Sequence, residues 1–183
     1  MRPTPDAPQL WLHAGAARRL LALPASPREV AGWLLGYWSA EKAHLFVTHA
    51  TPPGPPGTRF GVHVTGDGHR VRFDEAWDAS GGHVTFLGDW HTHPGGPTVP
   101  SERDRQAMEK LATQPGYRTP EPLVIIVQAP RWPWSRTHRD FTCYVRRRDE
   151  AVVALAPLLT DELPHPANAV PEWPWPAKRS RGS

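Results

Sequence analysis

Two histidines stand one residue apart in "GDWHTHPGGPTVPSERDRQ", and a proline follows at once. After His91, His93 and Pro94 come six residues, then Ser101, two more, and Asp104. On an extended strand, residues i and i+2 project to the same face, so His91 and His93 can present two imidazoles side by side. Paired imidazoles suit zinc. The competing reading sends one ring into the core and uses the other to cap a turn. Ser101 and Asp104 also fit a purely structural role, because "PSERD" has the form of a helix start with a capping box. The two readings are compatible, since a carboxylate in a first helical turn can also face a neighbouring strand end. His91, His93 and Asp104 would give zinc three protein ligands and leave one place for water, a count that belongs to catalytic sites.

Hydrolysis at such a site needs a base, because zinc brings the pKa of water from about 15.7 to about 7 and a carboxylate can then take the proton. Glu29, in "REVAGWLLG", is the candidate: an acid leading into an apolar run, where burial is costly without a partner. Taken alone, it is equally the polar first residue of a strand.

The spacing of these residues resembles the motif of the JAMM/MPN metalloproteases: Glu in "EVAGWLLG", then "HTHP", six residues, Ser, two residues, Asp. The "GDWHTHPGG" setting is similar to the small bacterial JAB-domain members. The resemblance implies one zinc per chain, bound by His91, His93 and Asp104 with water as fourth ligand. It implies Glu29 as general base and proton carrier to the leaving amine, and Ser101 as hydrogen-bond donor to the oxyanion. It implies an α/β (α+β) fold, a curved mixed β-sheet flanked by helices and similar to cytidine deaminases. The His-x-Glu and Pro-Cys-x-x-Cys pattern of deaminase chemistry is absent. The implied activity is that of a deubiquitinase-like isopeptidase that removes or trims a ubiquitin-like protein at its C-terminal tail. Its implied partners are that protein or its conjugate, with activating and conjugating enzymes of the same operon, anti-phage operons included. A peptidase for a sulfur-carrier precursor and a non-catalytic MPN scaffold are the alternatives.

The elements that must position these groups follow from periodicity. "PQLWLHAGAARRLLALP" is expected to be a short strand and a helix closed by Pro24. "REVAGWLLGYW" and "AHLFVTHA" are expected to be antiparallel strands across a turn at "SAEK". "TPPGPPGTRFG" is a loop, and with "VHVT" it is a candidate docking surface for the body of a substrate. "FGVHVT" is a further candidate strand, "GHRVRFDEAWDAS" a helix ending at Gly81 and Gly82, and "HVTFLGDWHTH" a strand. "SERDRQAMEKLATQ" is helical, "EPLVIIVQA" a buried strand, "DFTCYVRR" a strand and "EAVVALAPLL" a weaker helix.

Composition sets the outer limits. The 183 residues suffice for one domain with a sizeable core. We expect a flexible N-terminus over 1–8, the domain over 9–163, and a disordered Pro/Trp-rich tail over 164–183. A single cysteine, Cys143, excludes an intrachain disulfide and a four-cysteine metal site. No run has the length of a membrane span and the start lacks a signal-peptide core, so the expected compartment is cytoplasmic, with no membrane partner. The net charge of +3 and the Arg/Trp stretches "RWPWSRTHRD" and "CYVRRRDE" invite nucleic acid, but no nucleic-acid-binding signature accompanies them.

Overall fold

A computed structural model describes residues 8–57, 67–115, 119–135 and 139–164. Its elements are β1 (Gln9–His13), α1 (Ala14–Leu21), β2 (Ala31–Trp38), β3 (His44–Ala50), α2 (Asp67–Ala79), β4 (Thr85–Pro94), α3 (Glu102–Thr113), β5 (Leu123–Ala129), β6 (Asp140–Arg146), β7 (Val152–Leu155) and β8 (Leu158–Thr160). The strands form one mixed sheet in the order β7-β6-β5-β4-β2-β3-β1-β8. The pairs β1–β3, β1–β8 and β4–β5 are parallel and the rest antiparallel. This is the single α+β domain with a curled mixed sheet that the sequence implies. No helix among the described residues is long and apolar enough to cross a membrane.

Alternation along the central strands divides the core in two. Leu34, Val47, Trp90, Ile125 and Cys143 turn to the face covered by Ala16, Ala17 and Leu20 of α1. The opposite face carries α2, packed through Ala76 and Phe73 on Leu35, and α3, packed through Met108 on Val124 and Ile126. His91 pairs with Ala31 on one side and Ile126 on the other. Paired residues share a face, so His91 and His93 lie on the side of α2 and α3.

The curl has a local origin. At the same point of β2, the register slips by one residue against β4 between Leu34 and Leu35, and against β3 between Leu35 and Gly36. A bulge on each flank of one strand raises the local twist and bends the sheet. Both bends need a glycine. A Cβ on Gly36 would lie 1.9 Å from the Phe46 carbonyl oxygen, and one on Gly88, where φ is +147°, would lie 1.9 Å from that of Leu123.

One expected element differs. "EAVVALAPLL" forms β7 and β8 instead of a helix. Adjacent valines fit a pleated edge, and β6 offers an open ladder that Val152–Leu155 fills after a turn in which Glu150 takes φ 72°. Pro157 then ends the run, and Leu158–Thr160 crosses to the free edge of β1. The "FGVHVT" strand, residues 1–7, and the tail beyond Pro164 lie outside the described residues.

Gly88→Ala is expected to cost about 2–4 kcal/mol, from a strained φ and a backbone clash together. Denaturant unfolding of the variant beside the parent protein measures the cost, and a loss below about 0.5 kcal/mol would show that the bulge relaxes freely.

Candidate metal centre

β4 and the start of α3 build the site. His91 and His93 project from the end of β4, and Asp104 from the first turn of α3. Asp104 arrives there through a capping box: its backbone N–H donates to Ser101 Oγ at 3.3 Å, and the Ser101 N–H donates to Asp104 Oδ2 at 2.6 Å. The other carboxylate oxygen, Oδ1, lies 3.1 Å from His91 Nε2, while Oδ2 lies 3.6 Å from His93 Nε2. The two Nε2 atoms are 3.2 Å apart. Ligand atoms of His91, His93 and Asp104 all fall within 4.8 Å of one another. The structural and the metal-site readings of "SERD" therefore both hold: one carboxylate closes the helix end and faces the histidines.

The outer ring nitrogens explain which atoms face inward. His93 Nδ1 lies 2.7 Å from the Pro97 carbonyl, which can only accept, so this nitrogen carries the proton and Nε2 offers its lone pair. His91 Nδ1 faces the Asp89 carboxylate at 3.7 Å, which favours the same tautomer. A ring anchored by its far N–H to a carbonyl or carboxylate is the usual arrangement of a metal-binding histidine. The donor set thus fits zinc, with two imidazole nitrogens and a carboxylate converging from a strand and a helix start.

Glu29 sits just ahead of β2, half-buried. Extending the Ala31–His91 register by two residues sets it across from His93. Burial pushes its carboxyl up from the ordinary value; His91 and His93 pull it down, Asp104 pushes it up, Arg103 pulls it down, and burial prevails. A carboxyl so placed is a better proton acceptor than one in water. Ser101 is exposed at the head of α3. Its oxygen accepts from the cap, which leaves the hydroxyl proton to donate outward. All five residues singled out in the sequence thus gather at one end of β4.

Two residues escaped the sequence reading. Asp89 lies on the same face as both histidines at strand spacing, so the alternation Asp-x-His-x-His held the signal. Thr92, between the histidines and buried on the other face, accepts from the Val30 N–H at 3.0 Å.

Without metal, the site is an ion cluster. Burial disfavours charge on His91, but the carboxylates of Asp104 and Asp89 beside it raise its pKa to about 10. Asp104 is opposed by its own burial, yet the His91 and His93 rings beside it hold it far below the ordinary carboxylate range. A folded pKa above the unfolded value of 6.5 contributes stability in full below 6.5 and loses it as pH rises towards 10. The depressed Asp104 contributes above its unfolded value and loses it in acid. The metal-free protein is therefore expected to weaken from pH 6.5 to 10, and His91→Gln to flatten that decline. Denaturant midpoints across that range, in chelator, give the slope, and an unchanged slope in His91→Gln would remove the ion pair from the account.

A family model described as prokaryotic homologs of the JAB domain matches residues 13–144. A CD-NTase/cGAS isopeptidase of Pseudomonas aeruginosa is 34% identical over 100 residues, covering 54% of this chain and 62% of that protein. A probable metalloprotease of Sinorhizobium fredii is 29% identical over 102 residues, with the same 54% and 62% coverage. A CD-NTase/cGAS isopeptidase of Vibrio cholerae is 36% identical over 84 residues, covering 45% of this chain and 53% of that protein. The chain thus spans less than two thirds of these relatives. The solution structure of a protein from Desulfitobacterium hafniense superposes with a TM-score of 0.59 at 20% identity, covering 87% of this chain and 98% of that one, a likeness of fold.

Proposed function

The chain belongs to the prokaryotic JAB-domain family, and on that footing we propose that it is a zinc-dependent isopeptidase, with His91, His93 and Asp104 as ligands, Glu29 as base and Ser101 as oxyanion donor. The observation that carries this reading is the convergence of two imidazoles and one helix-capping carboxylate within 4.8 Å. Zinc bound there supplies a Lewis acid for the scissile carbonyl and acidifies water. Glu29, its carboxyl raised by burial, takes the proton of the attacking water and returns it to the departing amine. The Ser101 hydroxyl donates to the oxygen on which negative charge develops. The Pro97 carbonyl holds His93 in the tautomer that leaves Nε2 free, and the Asp89 carboxylate beside His91 Nδ1 favours the same tautomer in the metal-bound state.

The substrate we propose is the bond between the C-terminal tail of a ubiquitin-like protein and a target lysine, or the equivalent bond in a precursor. Support comes from relatives named as isopeptidases of CD-NTase/cGAS, a name that implies a protein substrate. The tail we propose is extended and ends in small residues, and it would bind through main-chain hydrogen bonds that do not read side chains. The setting we propose is an operon with activating and conjugating enzymes.

The purified protein is expected to carry one zinc, and a chelator to abolish cleavage of a ubiquitin-like domain joined through its C-terminal glycine to a lysine peptide. Glu29→Gln is expected to keep zinc and lose about 10²–10⁴-fold in rate. Asp104→Ala should lose zinc, and Ser101→Ala should keep it with a smaller loss of rate than Glu29→Gln. Metal analysis with initial rates decides: near-normal turnover in Glu29→Gln would assign the base elsewhere, and full activity without zinc would end the proposal. Alkylating reagents should leave activity intact, since Cys143 is fully buried and its thiol is pushed up by that burial.

A further inference from the structure

Residues 51–57, a docking candidate in the sequence, have other work in the backbone. The Thr51 N–H donates to the Trp33 carbonyl, that of Gly54 to Ala31, and that of Gly57 to Glu29, each at 2.9 Å. The three acceptors alternate along one edge of a single extended segment, so residues 51–57 continue β3 alongside the approach to β2. Three residues of the strap serve two of the segment, and prolines fill the places between donors. Proline has no N–H, so Gly54 and Gly57 make the bonds, and the rings limit the freedom of the links.

β4 holds the other edge. The Thr92 N–H donates to the Val30 carbonyl at 2.9 Å, and the Val30 N–H donates to Thr92 Oγ1 at 3.0 Å. Where the β2–β4 ladder ends, a side-chain hydroxyl thus stands in for the next carbonyl. Glu29 has its own carbonyl fixed on one side and its neighbour's amide fixed on the other.

We propose that Thr92 and the Gly54–Gly57 strap are positioning elements for Glu29, and that the Pro/Gly segment therefore acts on turnover and not on substrate capture. The inference rests on Glu29 as the base. Its physical content is geometric: a proton acceptor displaced by about 1 Å can cost about 10²-fold in rate with little effect on binding.

The test compares Thr92→Val, Thr92→Ser and the double variant Pro55→Gly/Pro56→Gly, the last altering two exposed residues outside the core. Readouts are zinc content, amide exchange at Val30 and Gly57 in the zinc-loaded protein, and kcat and KM on the lysine-linked ubiquitin-like probe. Thr92→Val is expected to keep one zinc, to exchange at Val30 about tenfold faster or more, and to lose about tenfold to a hundredfold in kcat with KM within about twofold. Thr92→Ser restores both exchange and kcat. The proline variant exchanges faster at Gly57 and loses kcat severalfold, again at constant KM. Unchanged exchange and kcat in Thr92→Val, loss of its zinc, or failure of Ser to restore it overturns the part assigned to Thr92. A proline variant whose KM rises while kcat holds would make the segment a docking surface and overturn the strap. Wild-type protein that leaves the probe uncut would count against the proposed function, while the exchange rates still decide the brace.

Discussion

The site depends on β4 being hydrogen-bonded along both edges. β2 runs antiparallel on one side and β5 parallel on the other, and the β5 pairing continues through Thr92, His93 and Pro94. A strand fixed on two sides cannot shift register, and a shift of one residue would turn both imidazoles into the α1 face and Trp90 out of it. The geometry of the histidines is thus set by the same backbone bonds that set the core. The helix supplies the remaining donor, and it too is held by backbone, through the capping box at Ser101.

Charge at the site is balanced in two exchangeable ways. Asp89 and Asp104 are two carboxylates beside His91, which is almost wholly buried. A proton on His91 answers them in the metal-free protein, and a divalent ion among the three donors would answer them in its place, releasing that proton. Metal binding and proton binding are then linked, and the fold holds the donors together in either state. Arg103, next to Asp104 in sequence, adds a cation that Glu29 also feels.

Much of this was legible because the chemistry coincides with simple periods. His91 and His93 sit at strand spacing, and Ser101 and Asp104 at capping-box spacing, so local patterns brought four of the five residues to two element ends. Glu29 stood out locally only as an acid leading into an apolar run, which fits the polar first residue of a strand equally well, and the family resemblance then favoured the base. Its place opposite His93 depends on the β2–β4 register, which no local pattern encodes. The same limit hid the strap over residues 51–57, where Pro and Gly composition marks a loop but cannot show which carbonyls its amides meet. The stretch "EAVVALAPLL" failed for a related reason: the open edges of β6 and β1 decided its conformation, and both lie far off in sequence.

The outermost pairing carries a consequence of timing. Trp11 of β1 lies beside Leu158 of β8, and Leu12 beside Leu159, so an edge formed by the first described strand is closed by the last. Synthesis runs from β1 towards β8, so the other described strands and helices are all made before that edge is covered. Contacts so remote along the chain slow the final step of folding. Until then, one edge of β1 presents unpaired backbone groups along Trp11, Leu12 and His13. Nascent copies of this domain should therefore be most exposed to misassembly and to chaperone capture along β1.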